Sequence, residues 1–212
     1  MASASHHAAA ADLGLSAIPL GERPLGQLWR LFPIMLRAYD ERYPQWFADE
    51  AAALASLFGS DVVRLTHIGS TAVPGLVSKP TVDILLEVHP RASAQVVADA
   101  LVAAGWSVMA HSDDPFRIDL NKGYTPAGFA ERVFHLHVVR PGDHDELYFR
   151  DYLRGHPEVR DAYARLKQDL FLRYEHDRDA YTDAKTAFVR AATAAARQEF
   201  PERYSTDADL PT

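Results

Sequence analysis

The fold of this chain is decided by the stretch His67-Ile68-Gly69-Ser70-Thr71-Ala72-Val73-Pro74-Gly75-Leu76-Val77-Ser78-Lys79-Pro80-Thr81-Val82-Asp83-Ile84-Leu85-Leu86-Glu87-Val88. Its two apolar ends predict β-strands, and the Gly-Ser pair between them predicts a tight turn with a short helical step. Side chains alternate along a strand, so Asp83, Leu85 and Glu87 share one face of the second strand. The stretch therefore predicts two strands around a polar corner, with one face for the core and one that carries acids.

The polar corner contains the residue types that hold a phosphate. A Gly-Ser pair at a strand end lets backbone N–H groups and a hydroxyl approach a phosphate, and a carboxylate on the next strand can hold a divalent cation against it. Gly69, Ser70, Thr71 and Lys79 are therefore candidate contacts for nucleotide phosphates; the alternatives are a simple turn and, for Lys79, an ion pair. Asp83 is the leading catalytic residue and metal ligand, because an acid among aliphatic residues is hard to bury unless it is paired or ligates something.

A second group of candidates comes from the alternating segment Arg132 to Val139. His135 and His137 point the same way there, which is a geometry in which two imidazoles can share a cation with Asp83. His137 is also a candidate for acid/base catalysis. Two polar surface histidines would give the same pattern.

Further candidates lie on other segments. Asp119 belongs to the polar face of the alternating segment Phe116 to Asn121, and it can supply a catalytic carboxylate or form a salt bridge to a neighbouring cation. Arg150 and Lys185 lie in the helical part of the sequence, and they are candidate triphosphate contacts or solvated charges. Glu87 is expected to be a strand-end charge.

The Gly-Ser pair followed by an acid on a hydrophobic strand resembles the signature of the polymerase-beta-like nucleotidyltransferase superfamily. The unbroken string from His67 to Asp83 resembles the GrpB family within it, and the resemblance runs from about Tyr39 to Ala192. It continues in four further segments: Asn121 to Pro126, Val133 to Val138, Tyr148 to Arg154 and Ala180 to Lys185. The resemblance implies a nucleotidyltransferase-like fold with Mg²⁺ or Mn²⁺ as cofactor and a nucleoside triphosphate as substrate.

One position departs from the superfamily pattern. A second acid is usual two residues after the first, but Leu85 occupies that position here. Glu87 faces the same way as Asp83 but lies about 13 Å farther along the strand. This departure counts against a complete two-metal catalyst, which needs clustered carboxylates and ions about 4 Å apart.

Composition excludes several classes of function. The chain has 212 residues, a net charge of −7 and no cysteine, so disulfides and thiol catalysis are absent. The negative charge counts against general nucleic-acid binding. The N-terminal residues contain neither a signal peptide nor an apolar run of membrane-spanning length, so no membrane association and a cytoplasmic location are expected. The oligomeric state is left open.

The sequence predicts an α/β (α+β) protein with a mixed sheet of about five strands flanked by helices. Residues 1–17 are expected to be flexible, 18–142 to form the nucleotidyltransferase-like core, 143–198 to form a helical region packed on it, and 199–212 to be a loose tail. Lys122 to Ala130, with two glycines and a proline, is predicted to be a connecting loop. Asp177 to Gln198 is predicted to be one helix.

Three functions remain open at this point. The first is a metal-dependent nucleotidyltransferase-like enzyme with an unknown acceptor. The second is a nucleotide- or metabolite-binding module that kept the fold and lost the reaction. The third is a divalent-metal hydrolase that uses the His-Leu-His strand.

Overall fold

The computed structural model describes residues 20–109, 114 and 116–205. The predicted flexible segment 1–17 lies outside these residues, as do the last seven residues of the predicted tail. The helices and strands in chain order are α1 (Leu25–Leu31), α2 (Tyr43–Phe58), β1 (Val62–Ile68), β2 (Val82–Val88), α3 (Ala94–Ala103), β3 (Ser107–Val108), β4 (Ile118–Thr125), β5 (Gly128–Val139), α4 (Asp145–Gly155), α5 (Pro157–Tyr174), α6 (Arg178–Asp183) and α7 (Thr186–Glu199). Within the described ranges, no helix is both long and apolar enough to span a membrane.

The strands form one mixed sheet in the order β1-β2-β5-β4-β3. Strands β2 and β5 are parallel, and the other neighbouring pairs are antiparallel. A parallel pair needs a long crossover, and here α3, β3 and β4 lie between the two strands in sequence. The predicted α/β class with a mixed sheet of about five strands is confirmed.

One face of the sheet forms the main hydrophobic core. Four residues of β2 are fully buried there against apolar side chains of α2 and α3: Val82, Ile84, Leu86 and Val88. Helix α2 has Pro44 in its first turn, where no N–H is needed, and it ends at Gly59 with φ +53. Burial of each large aliphatic side chain contributes about 1.5–3 kcal/mol. The main core residues are Trp46, Leu54, Val82, Ile84, Leu86, Val88, Val97, Leu101, Leu136 and Val138.

The C-terminal helices lie over part of the opposite face. Leu85 of β2 is fully buried on this side in a cluster with Ile68, Val139 and Leu147 of α4. A second cluster joins residues after β1 to Leu153 of α4 and residues of α5. The acid-bearing face of β2 is therefore closed at its centre by α4.

The prediction of a loop from Lys122 to Ala130 is wrong. Strand β4 continues to Thr125, and β5 starts at Gly128, so the two form a hairpin whose strands are antiparallel. Gly123 has φ +94 at a register shift, and a Cβ there would lie 2.3 Å from the carbonyl oxygen of Arg132. Glycine and proline predicted a loop, but Gly123 forms a β-bulge instead.

Two predictions about the C-terminal region are also wrong. The predicted helix from Asp177 divides into α6 and α7 at a tight turn in which Lys185 N–H donates to the Thr182 carbonyl at 3.2 Å. Part of the predicted loose tail is packed: Tyr204 contacts the Tyr148 ring edge-on at 5.1 Å and donates a hydrogen bond to Asp151. The tertiary contacts of Tyr204 hold this segment in place, and they cannot be predicted from the local sequence.

Candidate functional site

The corner after β1 brings the backbone against Asp83. Gly69 has φ +70 and ψ −169, a conformation that is essentially restricted to glycine. A Cβ at this position would lie 2.2 Å from Asp83 Oδ2, so no other side chain fits between the backbone and the carboxylate. Ser70 follows in a short 3₁₀ turn, and its hydroxyl accepts a hydrogen bond from Lys167 Nζ at 3.1 Å. The predicted phosphate corner and the predicted acid are therefore neighbours.

Asp83 is paired with His135 across the parallel strands β2 and β5. The two residues are in register, and His135 Nδ1 lies 3.1 Å from Asp83 Oδ1. His135 Nε2 lies 2.9 Å from the hydroxyl of Tyr124. Burial lowers the pKa of His135 despite the attraction of Asp83. The neutral ring then donates from Nδ1 to the carboxylate and accepts at Nε2 from Tyr124.

Asp83 remains ionised in this setting. Burial raises the pKa of its carboxyl group, but the hydrogen bond from His135 and the positive charges nearby outweigh burial and hold the pKa below its ordinary value. Its side chain is 25% exposed, and it lines a cavity. Asp83 can thus offer a carboxylate oxygen to a ligand.

A second acid–histidine pair lies beside the first. Asp119 of β4 is in register with His137 of β5, and His137 Nδ1 lies 2.5 Å from Asp119 Oδ1. Arg117 Nε donates to Asp119 Oδ2 at 3.2 Å. Burial raises the pKa of Asp119, but the hydrogen bond with His137 and the charge and hydrogen bond of Arg117 lower it below its ordinary value. The antiparallel pairing of β4 with β5 thus supplies the carboxylate that the sequence placed on a neighbouring strand.

The predicted metal group of Asp83, His135 and His137 is not formed. Each histidine is paired with a different carboxylate, and both ring nitrogens of His135 have partners. Among the residues that the structure describes, no three His, Asp or Glu side chains are arranged to hold a metal ion. The two histidines lie on the same face of β5, but each forms a hydrogen bond with a carboxylate of a different neighbouring strand.

The cavity next to Asp83 has a volume of about 750 Å³ and concentrates positive charge. We call it the lysine cavity, because its lining includes Lys79, Lys167 and Lys185, together with Arg178. The whole chain has only four lysines among its 22 basic residues, so three of the four line this one cavity. Gly69, Ser70 and Asp83 lie at its inner wall.

The three lysines are crowded and partly desolvated. Burial and the neighbouring cations lower the pKa of Lys79 to about 7 and that of Lys167 to about 7. Burial, opposed by Asp83, lowers the pKa of Lys185 to about 8. No carboxylate within the described ranges forms a salt bridge with any of the three, whereas Lys122 outside the cavity pairs with Glu50 at 2.7 Å. The cavity is therefore electrostatically suited to an anion.

Aromatic side chains form much of the remaining wall. Tyr163 and Tyr181 are buried, and burial raises the pKa of Tyr181 to about 12, so its phenol stays neutral. Helix α1 contributes Trp29 and two leucines to the lining of the cavity. The aromatic lining residues are Trp29, Phe32, Tyr124, Phe149, Tyr163 and Tyr181.

Two predicted phosphate contacts lie elsewhere. Thr71 is 1% exposed, its hydroxyl donates to the Thr81 carbonyl at 3.0 Å, and its oxygen lies 3.0 Å from His67 Nε2. Arg150 donates to the His67 carbonyl at 3.1 Å and to Asp151 at 2.7 Å. Thr71 thus connects the corner to the residue before β2, and Arg150 connects α4 to the end of β1. Neither residue lines the lysine cavity.

Lys167, Arg178 and Tyr124 are cavity residues that sequence reasoning missed. A signal for Lys167 was present: Tyr163, Lys167 and Leu170 have i, i+4, i+7 spacing, which places a lysine on the buried stripe of a helix. Tyr124 was missed because its segment was predicted to be a loop. Arg178 carries no local signal, because an arginine in a first helical turn is ordinarily solvated.

Comparison with known proteins agrees with the family resemblance. The family model described as GrpB protein matches residues 33–195. A UPF0157 protein of Pseudomonas aeruginosa is 38% identical over 151 residues, which are 71% of this chain and 62% of that protein. A UPF0157 protein of Halalkalibacterium halodurans is 34% identical over 160 residues, which are 74% of this chain and 79% of that protein.

A solved structure shares the architecture. The crystal structure of conserved protein GrpB from Enterococcus faecalis aligns with a TM-score of 0.69 and 26% identity, covering 78% of this chain and 99% of that one. The matched family region includes the Gly69-Ser70 corner, both acid–histidine pairs and all three cavity lysines. The chain therefore belongs to the GrpB family.

Proposed function

We propose that this protein binds a nucleoside triphosphate in the lysine cavity and transfers its nucleotidyl group to an acceptor, with Mg²⁺ or Mn²⁺ as cofactor. The observation that carries the proposal is the convergence of Lys79, Lys167 and Lys185 on the Gly69-Ser70 corner without a salt bridge to any described carboxylate. Like charges in a partly desolvated cavity repel one another, and a polyphosphate removes that repulsion. The cytoplasmic location expected from the sequence is part of the same proposal.

The shape and walls of the lysine cavity support a nucleotide. A volume of about 750 Å³ lies within the range of small-molecule sites. The lysines and the Gly-Ser corner offer contacts for phosphates, and Trp29, Phe32 and Tyr124 offer rings on which a base can pack. Lys167 is 3% exposed and hydrogen-bonded to Ser70, so the Ser70 hydroxyl and the Lys167 amine are held together.

The residues present fit a cation that arrives with the nucleotide. Mg²⁺ is commonly held by one or two carboxylates together with substrate phosphates and water, and Asp83 supplies one carboxylate. Bound there, Mg²⁺ or Mn²⁺ supplies charge stabilisation at the transferred phosphoryl group. The lysines of the cavity stabilise the negative charge that develops on the departing pyrophosphate.

A second candidate is a nucleotide-binding protein without transfer activity. Leu85 stands where the superfamily pattern has its second acid, and it is fully buried beneath α4. A side chain in that position cannot reach a metal ion. The two candidates agree on nucleotide binding and differ only in turnover.

Calorimetric titration tests the shared part of both candidates. Each nucleoside triphosphate is titrated with and without Mg²⁺ or Mn²⁺ into the wild type, Lys185→Gln and Lys122→Gln. We expect Lys185→Gln to weaken binding about tenfold or more, because a charge-assisted phosphate contact is lost. Lys122→Gln is the matched control outside the cavity and should bind like the wild type. Equal affinity of all three proteins, or no binding, contradicts the proposal.

The lysine pKa values predict how binding depends on pH. An anionic ligand favours the protonated lysines and therefore raises their pKa, so binding takes up protons near pH 7–8. Affinity should fall by about tenfold or more between pH 7 and pH 9, and the binding enthalpy should depend on the buffer. The charged and titratable groups of the cavity lining are Lys79, Asp83, Tyr124, His135, His137, Tyr163, Lys167, Arg178, Asp179, Tyr181 and Lys185. An affinity that rises with pH contradicts this assignment.

Release of pyrophosphate and transfer of label from an α-labelled nucleotide separate the enzyme from the binding protein. An enzyme releases pyrophosphate in proportion to labelled product, and Asp83→Asn abolishes both. A binding protein without transfer activity gives neither signal, although its nucleotide affinity is intact.

A further inference from the structure

A second cavity, of about 800 Å³, lies beside the lysine cavity. Gly69, Asp83, His137 and Phe149 line both cavities. The two cavities therefore meet where the proposed function places the reacting phosphate. A compound in the second cavity can approach a nucleotide in the first from the side of His137.

The two cavities carry different charges. The lysine cavity contains three lysines that form no salt bridge with a described carboxylate, whereas the second cavity contains Asp143, Asp145 and Glu146. Arg197 pairs with Asp143 and Asp145, and Arg117 pairs with Glu146. A polyphosphate is repelled by these acids, so the second cavity suits a ligand with little negative charge.

Arg190 of α7 differs from the other cations of the second cavity. It lines the cavity and is exposed, and it has no hydrogen bond or salt bridge to another described residue. Arg190 is thus the one arginine of this lining that has no carboxylate partner among the described residues. Its guanidinium is therefore available to one anionic group of a ligand.

His137 has a hydrogen-bond partner for one ring nitrogen but, among the described residues, none for the other. Its Nδ1 lies 2.5 Å from Asp119, which fixes the ring and directs the N–H to the carboxylate. Nε2 then carries the free lone pair, and within the described part of the chain it has no hydrogen-bond partner. His135 cannot do the same, because its Nε2 lies 2.9 Å from the hydroxyl of Tyr124. Of the two histidines, only His137 is equipped as a base.

We infer that the second cavity binds the acceptor, a small hydroxyl compound with one anionic group, and that His137 is the general base that activates its hydroxyl. This inference rests on the proposed function. The hydroxyl proton moves to His137 Nε2 as the acceptor oxygen bonds to the α-phosphorus. The bond from the α-phosphorus to its bridging oxygen breaks, and pyrophosphate leaves with the electron pair. His137 afterwards returns the proton to solvent.

Two residues support His137 without touching the reacting atoms. Asp119 is a positioning residue, because it acts on the acceptor only through the orientation of the imidazole. Arg117 holds Asp119 at 3.2 Å and Glu146 at 3.3 Å, and so connects the base to the wall of the second cavity.

The experiment measures pyrophosphate release from the nucleotide that binds best in calorimetry, with Mg²⁺ present. The acceptor probes are glycerate, glycerol 3-phosphate and ribose 5-phosphate, with uncharged glycerol and ribose as matched compounds. We expect at least one anionic probe to raise the rate tenfold or more over water, and its uncharged counterpart to do so less. If nucleotide binds but no anionic probe outperforms its uncharged counterpart, the inference is overturned while nucleotide binding stands. If no nucleotide binds, the proposed function itself has failed.

Variants then test the base. We expect His137→Gln to lower kcat about 10²- to 10⁴-fold, with nucleotide affinity and melting temperature close to those of the wild type. Imidazole added to His137→Ala should restore part of the lost rate, which a purely structural histidine would not allow. His156→Gln, a histidine at the start of α5 that lines neither cavity, is the matched control. Transfer by His137→Gln at the wild-type rate overturns the assignment.

Two further variants test the positioning role of Asp119 and the contact of Arg190 with the anionic group separately. Asp119→Asn should lower kcat and leave the KM of the acceptor close to its wild-type value, since the imidazole loses the partner that orients it. Arg190→Ala should raise the KM of an anionic probe tenfold or more and leave the KM of glycerol unchanged. An equal effect of Arg190→Ala on both probes contradicts the assigned acceptor class.

Discussion

Asp83 and Glu87 lie four residues apart on the same face of β2, yet they have opposite surroundings. Asp83 is 25% exposed, and its hydrogen-bond partner is His135. Glu87 is fully buried and accepts hydrogen bonds from the guanidinium of Arg64 and from the Gly142 N–H. The expectation that Glu87 is a strand-end charge is therefore wrong.

The difference comes from what covers each end of the strand. The segment between β5 and α4 closes over Glu87, and His144 of that segment lies 3.4 Å from its carboxylate. Asp83 instead lines two cavities. A buried acid with several donors stabilises a structure, whereas an acid at an open cavity is available to a ligand. Two acids on one strand face thus have different surroundings.

The largest expected effect is at the covered end. Glu87→Ala leaves the Arg64 guanidinium and the Gly142 N–H without their buried partner, so we expect a loss of about 3–5 kcal/mol in the free energy of unfolding. Urea unfolding measures it. Glu131→Ala, at an exposed acid, should change stability by less than about 0.5 kcal/mol. A loss below about 1 kcal/mol for Glu87→Ala would contradict the proposed difference between the covered Glu87 end and the open Asp83 end of β2.

The two ends should also respond to acid in different pH ranges. His67, beside the open end, is buried against Phe47, and burial lowers its pKa to about 4. Above pH 6.5 it is neutral in both states; as pH falls from 6.5 to 4 only the unfolded chain gains the proton, so stability falls by up to about 3 kcal/mol.

Glu87 behaves differently on acidification. Burial raises its pKa, but its hydrogen bonds and Arg64 outweigh burial and lower it, so its contribution is lost only as pH falls below the ordinary glutamate range. Unfolding free energies measured from pH 7 to pH 4 should therefore decline in the wild type and stay flatter in His67→Gln. Parallel curves for the two proteins would contradict the assignment to His67.

A smaller loss of stability is expected at the glycine that faces Asp83. Gly69→Ala places a Cβ against the carboxylate and imposes a backbone conformation that alanine disfavours, at a cost of about 1–3 kcal/mol. Displacement of Asp83 should also weaken nucleotide binding. Gly155→Ala is the matched control, because a Cβ there meets no atom within 4 Å and should preserve or increase stability. Unchanged nucleotide binding in Gly69→Ala would separate the corner from the cavity.

The smallest effect on stability is expected for Asp83→Asn. Asparagine keeps an oxygen for His135, and the position is partly exposed, so stability should change by about 1 kcal/mol or less. Calorimetry should nevertheless show that the Mg²⁺-dependent part of nucleotide binding is lost. A large loss of stability with intact binding would make Asp83 resemble Glu87 and would remove it from the proposed site.

The sequence predicted the elements that carry strong local signals. Alternation predicted β2 and most of β5, because local periodicity follows directly from backbone geometry. It failed at Gly123, where a glycine forms a bulge within a strand, and at Lys185, where a turn interrupts a helix. Both features depend on partners that are distant in sequence.

By itself, the sequence determined the α/β class, the Gly69-Ser70 corner, Asp83 as the acid beside it and the missing second acid at Leu85. Only the tertiary structure decided which histidine pairs with which carboxylate, because that choice depends on the register of β5 with β2 and β4. It also decided that three lysines, of which Lys79 and Lys185 are 106 positions apart, share one cavity. Local periodicity fixes the face on which a side chain lies, but the packing of separate elements fixes its neighbours, and those neighbours determine its chemistry.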